Sequence, residues 1–318
     1  MSLLTPTPSK NLRRGFVAAL IASAIALAGC SAPDDTASSS GSGSASGGSS
    51  PSASIGTVPK NAEAAAALPA SVKSSGVVNV ASGVSFPPME YFASDNKTVL
   101  GFDADLGAAL GQATGVKFKF TNVDFDGIIG GLAAGRYDVG ITAMTDKKAR
   151  QEKVDFVDYL KSGAAIMVVK GNPQKITGQD SLCGMKVGSE KGATGDLTSD
   201  TITKTCVAQG KKPVDKQVFP TQANAVQALQ AGRVDAVIAL DVTLAYNVSQ
   251  SNGAFELVGK PFDMVPMGIA IAKGNTQMLK STQLALKAVQ DSGVYDQILA
   301  KYGLTNNALS GAPINTGK

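Results

Sequence analysis

The chain has 318 residues, with 29 Lys and Arg against 25 Asp and Glu and no histidine. Without histidine there is no Ser-His-Asp or Cys-His pair and no histidine-ligated zinc, so the common hydrolase constellations are excluded, while carboxylate and lysine chemistry stay open. The formal charge of +4 drops to +1 when the three basic residues of the leader described below are set aside, leaving 26 basic against 25 acidic, too weak a field to gather nucleic acid.

In chain order, Lys10, Arg13 and Arg14 precede a nearly unbroken apolar run from Gly15 to Ala28. That run falls well short of the ~20 residues of a membrane-spanning helix and fits the core of a signal peptide. It ends in Leu27-Ala28-Gly29-Cys30, which resembles the bacterial lipobox. The expectation is a leader over residues 1–29 and a lipid-modified Cys30; an ordinary signal peptide containing a Cys is the alternative. Residues 31–56 are mostly Ser, Gly, Ala and Pro. Such a composition cannot offset its ordering entropy and implies a flexible tether, taken as residues 30–70. The remainder is expected at the outer face of the cell membrane, held by the lipid.

The next 240 or so residues suffice for two modest α/β lobes, roughly one domain length each. Gly76 to Ser82 reads as a strand. Gly101-Phe102-Asp103 opens a helix with Leu106 and Leu110 on one face. Lys117 to Asn122 alternates as a strand, and Ile128, Ile129 and Leu132 follow at helical spacing up to Gly135. This β-α-β-α-β order favours parallel strands with crossover helices. The segment from Leu132 to Val139, ending Gly-Arg-Tyr-Asp-Val, is echoed by Leu229 to Ala236, ending Gly-Arg-Val-Asp-Ala. Two copies suggest two lobes built alike. Thr276 to Gly303 reads as a helical closing element, and residues 309–318 as a disordered tail. With Cys30 set apart, Cys183 and Cys206 remain in an oxidising compartment that favours a disulfide, a reactive thiol or metal role being the alternative.

An ordered series of motifs then emerges. Phe86-Pro87-Pro88-Met89-Glu90-Tyr91 is followed by Gly101-Phe102-Asp103-Ala104-Asp105-Leu106, Phe125-Asp126-Gly127, Met144-Thr145 with Arg150 beyond it, Val187-Gly188, and Lys301-Tyr302-Gly303. In this order and spacing the chain resembles the bacterial extracellular solute-binding proteins of family 3, the polar amino-acid receptors of ABC importers, from about Gly76 to Gly303. The resemblance implies two similar α/β lobes joined by a two-strand hinge, the type 2 periplasmic binding protein fold, with ligand in the cleft between them. The divisions it implies are lobe 1 over residues 71–160, lobe 2 over 161–266, and a return to lobe 1 over 267–308.

It also implies site residues. Arg150 matches the arginine that grips a ligand carboxylate, a task suited to a planar fork, although spacing alone equally allows a surface ion pair with Glu152 or Asp155. Thr145 and the backbone of Ala143 match positions giving a hydroxyl and a carbonyl to ligand. Phe86 and Phe125 match two rings that sandwich it, where a phenylalanine is otherwise core. Thr194, after Glu190-Lys191-Gly192-Ala193, matches a loop whose N–H groups help hold the carboxylate. Glu190 stands where many relatives have Gln or Lys, and either disfavours an acidic side chain or points to solvent. Asp241 is expected to pair with the ligand ammonium, with one extra residue after Asp235 that leaves room for a slip of one. Gly83 stands where some relatives carry a ligand-contacting acid.

The implied mechanism is capture without catalysis by a monomer that needs no metal or cofactor. Closure about Leu160–Gly163 and Pro266–Gly268 would bury an amino acid and present it to a membrane permease. Two other readings share the fold or the location: a secreted cyclohexadienyl dehydratase using Glu190 or Asp241 as an acid, and a cell-surface sensor module.

Overall fold

The computed structural model describes residues 56–318; the leader, Cys30 and the tether as far as residue 55 lie outside the described residues. Two short helices, α1 (Ala62–Ala67) and α2 (Ala70–Ser75), open the described chain. Asn61 caps α1 by accepting the Ala64 N–H at 2.8 Å. Val58, Ala64, Leu68 and Val72 are buried in the main core. The tether expected to reach residue 70 therefore gives way to folded chain by Val58. That is where the Ser/Gly composition yields to side chains worth burying.

The first lobe continues with β1 (Val77–Ser82), the small hairpin β2 (Tyr91–Phe92) and β3 (Val99–Leu100), α3 (Phe102–Thr114), β4 (Lys117–Asn122), α4 (Ile128–Ala133) and β5 (Val139–Gly140). β1 lies between β4 and β5, parallel to both. A single helical turn, α5 (Lys148–Gln151), leads into the long strand β6 (Val154–Val169). The second lobe holds β7 (Lys186–Glu190), α6 (Thr194–Ala208), β8 (Asp215–Phe219), α7 (Gln222–Gln230), β9 (Ala236–Leu240) and α8 (Asp241–Gln250). Here β7 lies between β8 and β9, again parallel to both. The long β10 (Phe255–Ala272) returns to the first lobe, which α9 (Thr276–Asp291) and α10 (Val294–Tyr302) complete.

β6 and β10 pair antiparallel along most of their length and belong to both lobes. The eight strands consequently form one sheet in the order β4-β1-β5-β10-β6-β9-β7-β8. The two halves have the same plan, and the repeated Arg-x-Asp explains part of it. Asp138 accepts the backbone N–H of Asn79 at 2.7 Å, and Asp235 accepts that of Lys186 at 2.8 Å. Each Asp also donates its own N–H to the same residue's carbonyl, at 2.9 and 2.8 Å. In both lobes the helix-to-strand junction is thus pinned to the neighbouring central strand.

Between the lobes the ladder is irregular, with register shifts at Val258/Phe262, Phe262/Val265 and Met267/Gly268. Irregular pairing is where two joined strands bend with least loss of hydrogen bonding. In lobe 1 Phe102 stacks on Tyr159 and meets Tyr295 and Tyr302 edge-on. In lobe 2 a disulfide joins Cys183 to Cys206 on α6, with Cα atoms 5.6 Å apart. Residues 309–318, expected to be disordered, instead run beside β6, bridging Val157 to Ile314. Their backbone polar groups are taken up by a strand edge that would otherwise stand unpaired.

Candidate functional site

The carboxyl ends of β1, β7 and β9 and the loops after β4 and β5 converge between the lobes. Crevices of α/β sheets lie at such ends. The cavity there is walled on the first-lobe side by Gly83, Phe86, Glu90, Phe125, Thr142 and Ala143. Glu190, Ala193, Thr194, Gln222 and Leu240 wall it on the other side.

Arg150 stands beside this cavity on α5 and is 6% exposed. Its Nη1 donates to Thr145 O at 2.8 Å and Thr145 Oγ1 at 2.6 Å, and its Nη2 donates to Gly192 O, on the second lobe, at 2.9 Å. The guanidinium carbon lies 5.5 Å from the centre of the Phe125 ring. Burial lowers its pKa to about 10, opposed by the nearby Asp146 carboxylate, so the group stays charged at neutral pH. The surface pairing with Glu152 or Asp155 does not occur: Asp155 pairs with Lys273 at 2.6 Å. Thr145 Oγ1 and Thr194 Oγ1 share a hydrogen bond of 2.9 Å across the cleft. A further crossing contact is the Lys191–Asp126 ion pair at 2.7 Å.

The second-lobe wall depends on a close approach. Gly195, in the first turn of α6, lies so near β9 that a Cβ there would be 1.9 Å from Ile238 O. The absence of a side chain lets Thr194 and its neighbouring N–H groups reach the cleft. On the first lobe, Ala143 adopts a φ of 47°, and its N–H donates to Asp103 Oδ2 at 2.8 Å. Asp103 Oδ1 accepts Tyr159 OH at 2.8 Å. The Asp of the Gly-Phe-Asp motif thus holds Ala143 in a conformation rare outside glycine.

Two carboxyl groups face the cavity. Glu90 Oε1 accepts the Thr142 hydroxyl at 2.9 Å, while the buried Oε2 has no partner among the described residues. Burial, reinforced by Asp103, holds Glu90 well above the usual carboxylate range. Glu190 is 4% exposed; burial, then the charge of Asp126, pushes its pKa up to about 8. Gln222 is buried as well, and neither of its amide atoms has a partner among the described residues. Two desolvated carboxyls and an unpaired amide are costly inside a protein, and a charged or hydrogen-bonding solute would relieve that cost.

Of the residues singled out from the sequence, Phe86, Phe125, Ala143, Thr194 and Glu190 line the cavity, and Thr145 and Arg150 join its wall through Thr194 and Phe125. The structure does not bring Asp241 there. Its Oδ1 accepts Ser162 Oγ, Gly163 N at 3.2 Å and Val242 N at 2.9 Å, which turns the carboxylate to the hinge strand. Leu240 takes the inward position. Neighbouring residues at a strand end point to opposite faces, so the one extra residue after Asp235 is enough to exchange them. Glu90, Thr142 and Gln222 were not singled out. Only Glu90 had a signal, its place in Phe-Pro-Pro-Met-Glu.

Comparison with known proteins agrees with the two-lobed fold. The description "Bacterial extracellular solute-binding proteins, family 3" matches residues 78–305. The arginine-binding protein ArgT of Corynebacterium glutamicum is 29% identical over 255 residues, covering 80% of this chain and 83% of that protein. A probable histidine-binding protein of Neisseria gonorrhoeae is 30% identical over 297 residues, covering 92% and 96%. An ancestral arginine-binding protein solved with arginine superposes with a TM-score of 0.66 at 36% identity, covering 71% and 98%. The chain belongs to the family 3 solute-binding proteins, and its role is solute binding.

Proposed function

We propose that this receptor captures an α-amino acid with a cationic side chain between its lobes and presents it to an ABC-type permease, anchored outside the cell by a lipid on Cys30. The observation that carries the choice of ligand is the pair of buried carboxyls, Glu90 and Glu190, in the cavity beside Arg150. Arg150 takes the α-carboxylate with Thr145 and the Thr194 loop. Phe86 and Phe125 flank the ligand as low-dielectric walls that strengthen the charged contacts. Glu90 and Glu190 are left for the ligand's positive groups, and Leu240 forms an apolar side where Asp241 had been expected. Relatives named for arginine and histidine support the same class.

Closure follows from where these groups sit. Arg150 and Glu90 are on the first lobe and Glu190 and Thr194 on the second, so only the closed form gives the ligand all of its partners. Differential contact of this kind is what shifts a two-state equilibrium. The bonds crossing the cleft, Arg150–Gly192, Thr145–Thr194 and Lys191–Asp126, are those that opening breaks.

A thermal-shift screen of the purified protein against the twenty amino acids and ornithine tests this reading. Ligand at about 100 times its Kd adds ~2.7 kcal/mol to the folded state, so the largest rise should come from arginine, lysine, ornithine or histidine. A largest rise from glutamate or an aliphatic amino acid would overturn the cationic assignment. No rise from any amino acid would overturn capture of amino acids altogether. Because Glu190 is held protonated near neutral pH, a general-acid role has a candidate; turnover of prephenate or arogenate by the same protein would replace the receptor reading by the dehydratase one.

A further inference from the structure

The last eleven residues form a strap whose far end reaches Asp146 and α5, beside Thr145 and Arg150. Ala308 bridges to Leu160 and Ile314 to Val157, both antiparallel, along the first-lobe edge of β6. Asp158 N donates to Pro313 O at 2.9 Å, Phe156 N to Asn315 Oδ1 at 2.8 Å, and Asn315 Nδ2 to Asp155 Oδ1 at 2.9 Å. Beyond this edge the chain turns to two buried acids. Thr316 donates its N–H (3.1 Å) and its hydroxyl (2.6 Å) to Asp158 Oδ2. Gly317 N donates to Asp146 Oδ2 at 2.7 Å.

Asp146 is the residue after Thr145 and is fully buried. Its other oxygen accepts Gln151 Nε2 at 2.7 Å, and its N–H donates to Pro266 O, in the hinge region of β10, at 2.8 Å. Gly268 N donates to Met144 O at 3.0 Å. The Thr145–Arg150 segment is thus tied to the hinge by its backbone and to the strap by the Asp146 carboxylate. The fit at Gly317 leaves no room: a Cβ there would lie 1.8 Å from Asp146 O.

We infer that the C-terminal strap positions the carboxylate anchor, with Thr316 and Gly317 as positioning residues that hold Asp158 and Asp146 and so fix Thr145 and Arg150 against the hinge. The inference rests on Arg150 receiving the ligand carboxylate. A buried carboxylate oxygen that loses its donor must find another, and the nearest way is for the Asp146 loop to move. Such a movement misdirects Thr145 and Arg150 while leaving Glu90 and Glu190 in place.

The test uses the full chain with Gly317→Ala, Thr316→Val and Thr316→Ser, and two probes, L-arginine and L-argininamide, which lacks the α-carboxylate. Titration calorimetry should show arginine weakened about tenfold by Gly317→Ala and Thr316→Val, the scale of one orphaned buried acceptor. Argininamide should change little, so the preference for acid over amide collapses, and Thr316→Ser should restore it. Amide hydrogen exchange at Asp146 and Gly268 should quicken in the same two variants. Unchanged arginine affinity with unchanged exchange would overturn the inference, as would equal weakening of both probes, which is general destabilisation. If the parent protein does not prefer the acid to the amide, the Arg150 reading itself has failed. Exchange at Asp146 then decides alone: quickened exchange upholds the strap as the brace of this loop, and unchanged exchange refutes it.

Discussion

Glu190 ends β7 with its carboxyl buried in the cleft and its pKa pushed up to about 8 by burial and by Asp126. At pH 6 the group in the empty cleft lies two units below that value and is protonated. Ionising it there costs ~1.36 kcal/mol per unit, or ~2.7 kcal/mol in all. A ligand cation pairs with the ionised form, so the bound value is lower than the empty one and a proton leaves on binding. Affinity for a cationic amino acid is therefore fully developed above pH 8 and is lost as pH falls through the empty cleft's value. Between pH 8 and pH 6 the Kd for arginine should rise about 50-fold, provided the bound value lies at least about one unit below 6. Glu190→Gln should flatten that profile. Calorimetry at pH 7 in two buffers of different protonation enthalpy should show close to one proton released. A Kd constant from pH 6 to 8, with no proton released, would refute the argument that Glu190 faces the ligand's charge.

Three other outcomes follow from the geometry. Arg150→Ala should weaken arginine binding by at least ~3 kcal/mol, over ~100-fold, the scale for truncating one partner of a buried charged pair; an affinity within a few-fold of the parent would remove Arg150 as the anchor. Asp241→Asn should leave the Kd within about twofold, because its carboxylate serves Ser162 and Gly163; a loss of tenfold (~1.4 kcal/mol) in calorimetry would return it to the cleft. Replacing Cys183 and Cys206 together by Ala should lower stability in urea by about 3 kcal/mol, since the bond closes a loop between residues 23 apart; an unshifted midpoint would show that it constrains little.

Much of the fold was legible because it depends on neighbours in the chain. The strand alternation from Lys117, the helix stripe of Leu106 and Leu110, and the two Gly-Arg-x-Asp junctions are local patterns, and each became the element its period implied. The junctions also foretold the duplicated plan, since Asp138 and Asp235 pin their strands in the same way. Phe86, Phe125 and Thr194, which line the cavity, and Thr145 and Arg150 beside it were singled out through ordered motifs, and no single residue would have marked them.

What the sequence determined by itself, then, is most of the elements of the first lobe and the duplication of the helix-to-strand junction, because these follow from local periodicity and order. Only the tertiary structure decided which atoms face the cavity. Leu240 rather than Asp241 points inward because β9 pairs with β6 in one register, Ala164 opposite Leu240, and a slip of one residue would exchange the two faces. Glu90 accepts a hydrogen bond from Thr142, 52 residues further along the chain, and nothing beside it in sequence signals that contact. The strap is rich in turn residues, which locally predicts fraying. It is ordered because the free edge of β6 and the carboxylates of Asp158 and Asp146 supply partners that exist only once the chain has folded.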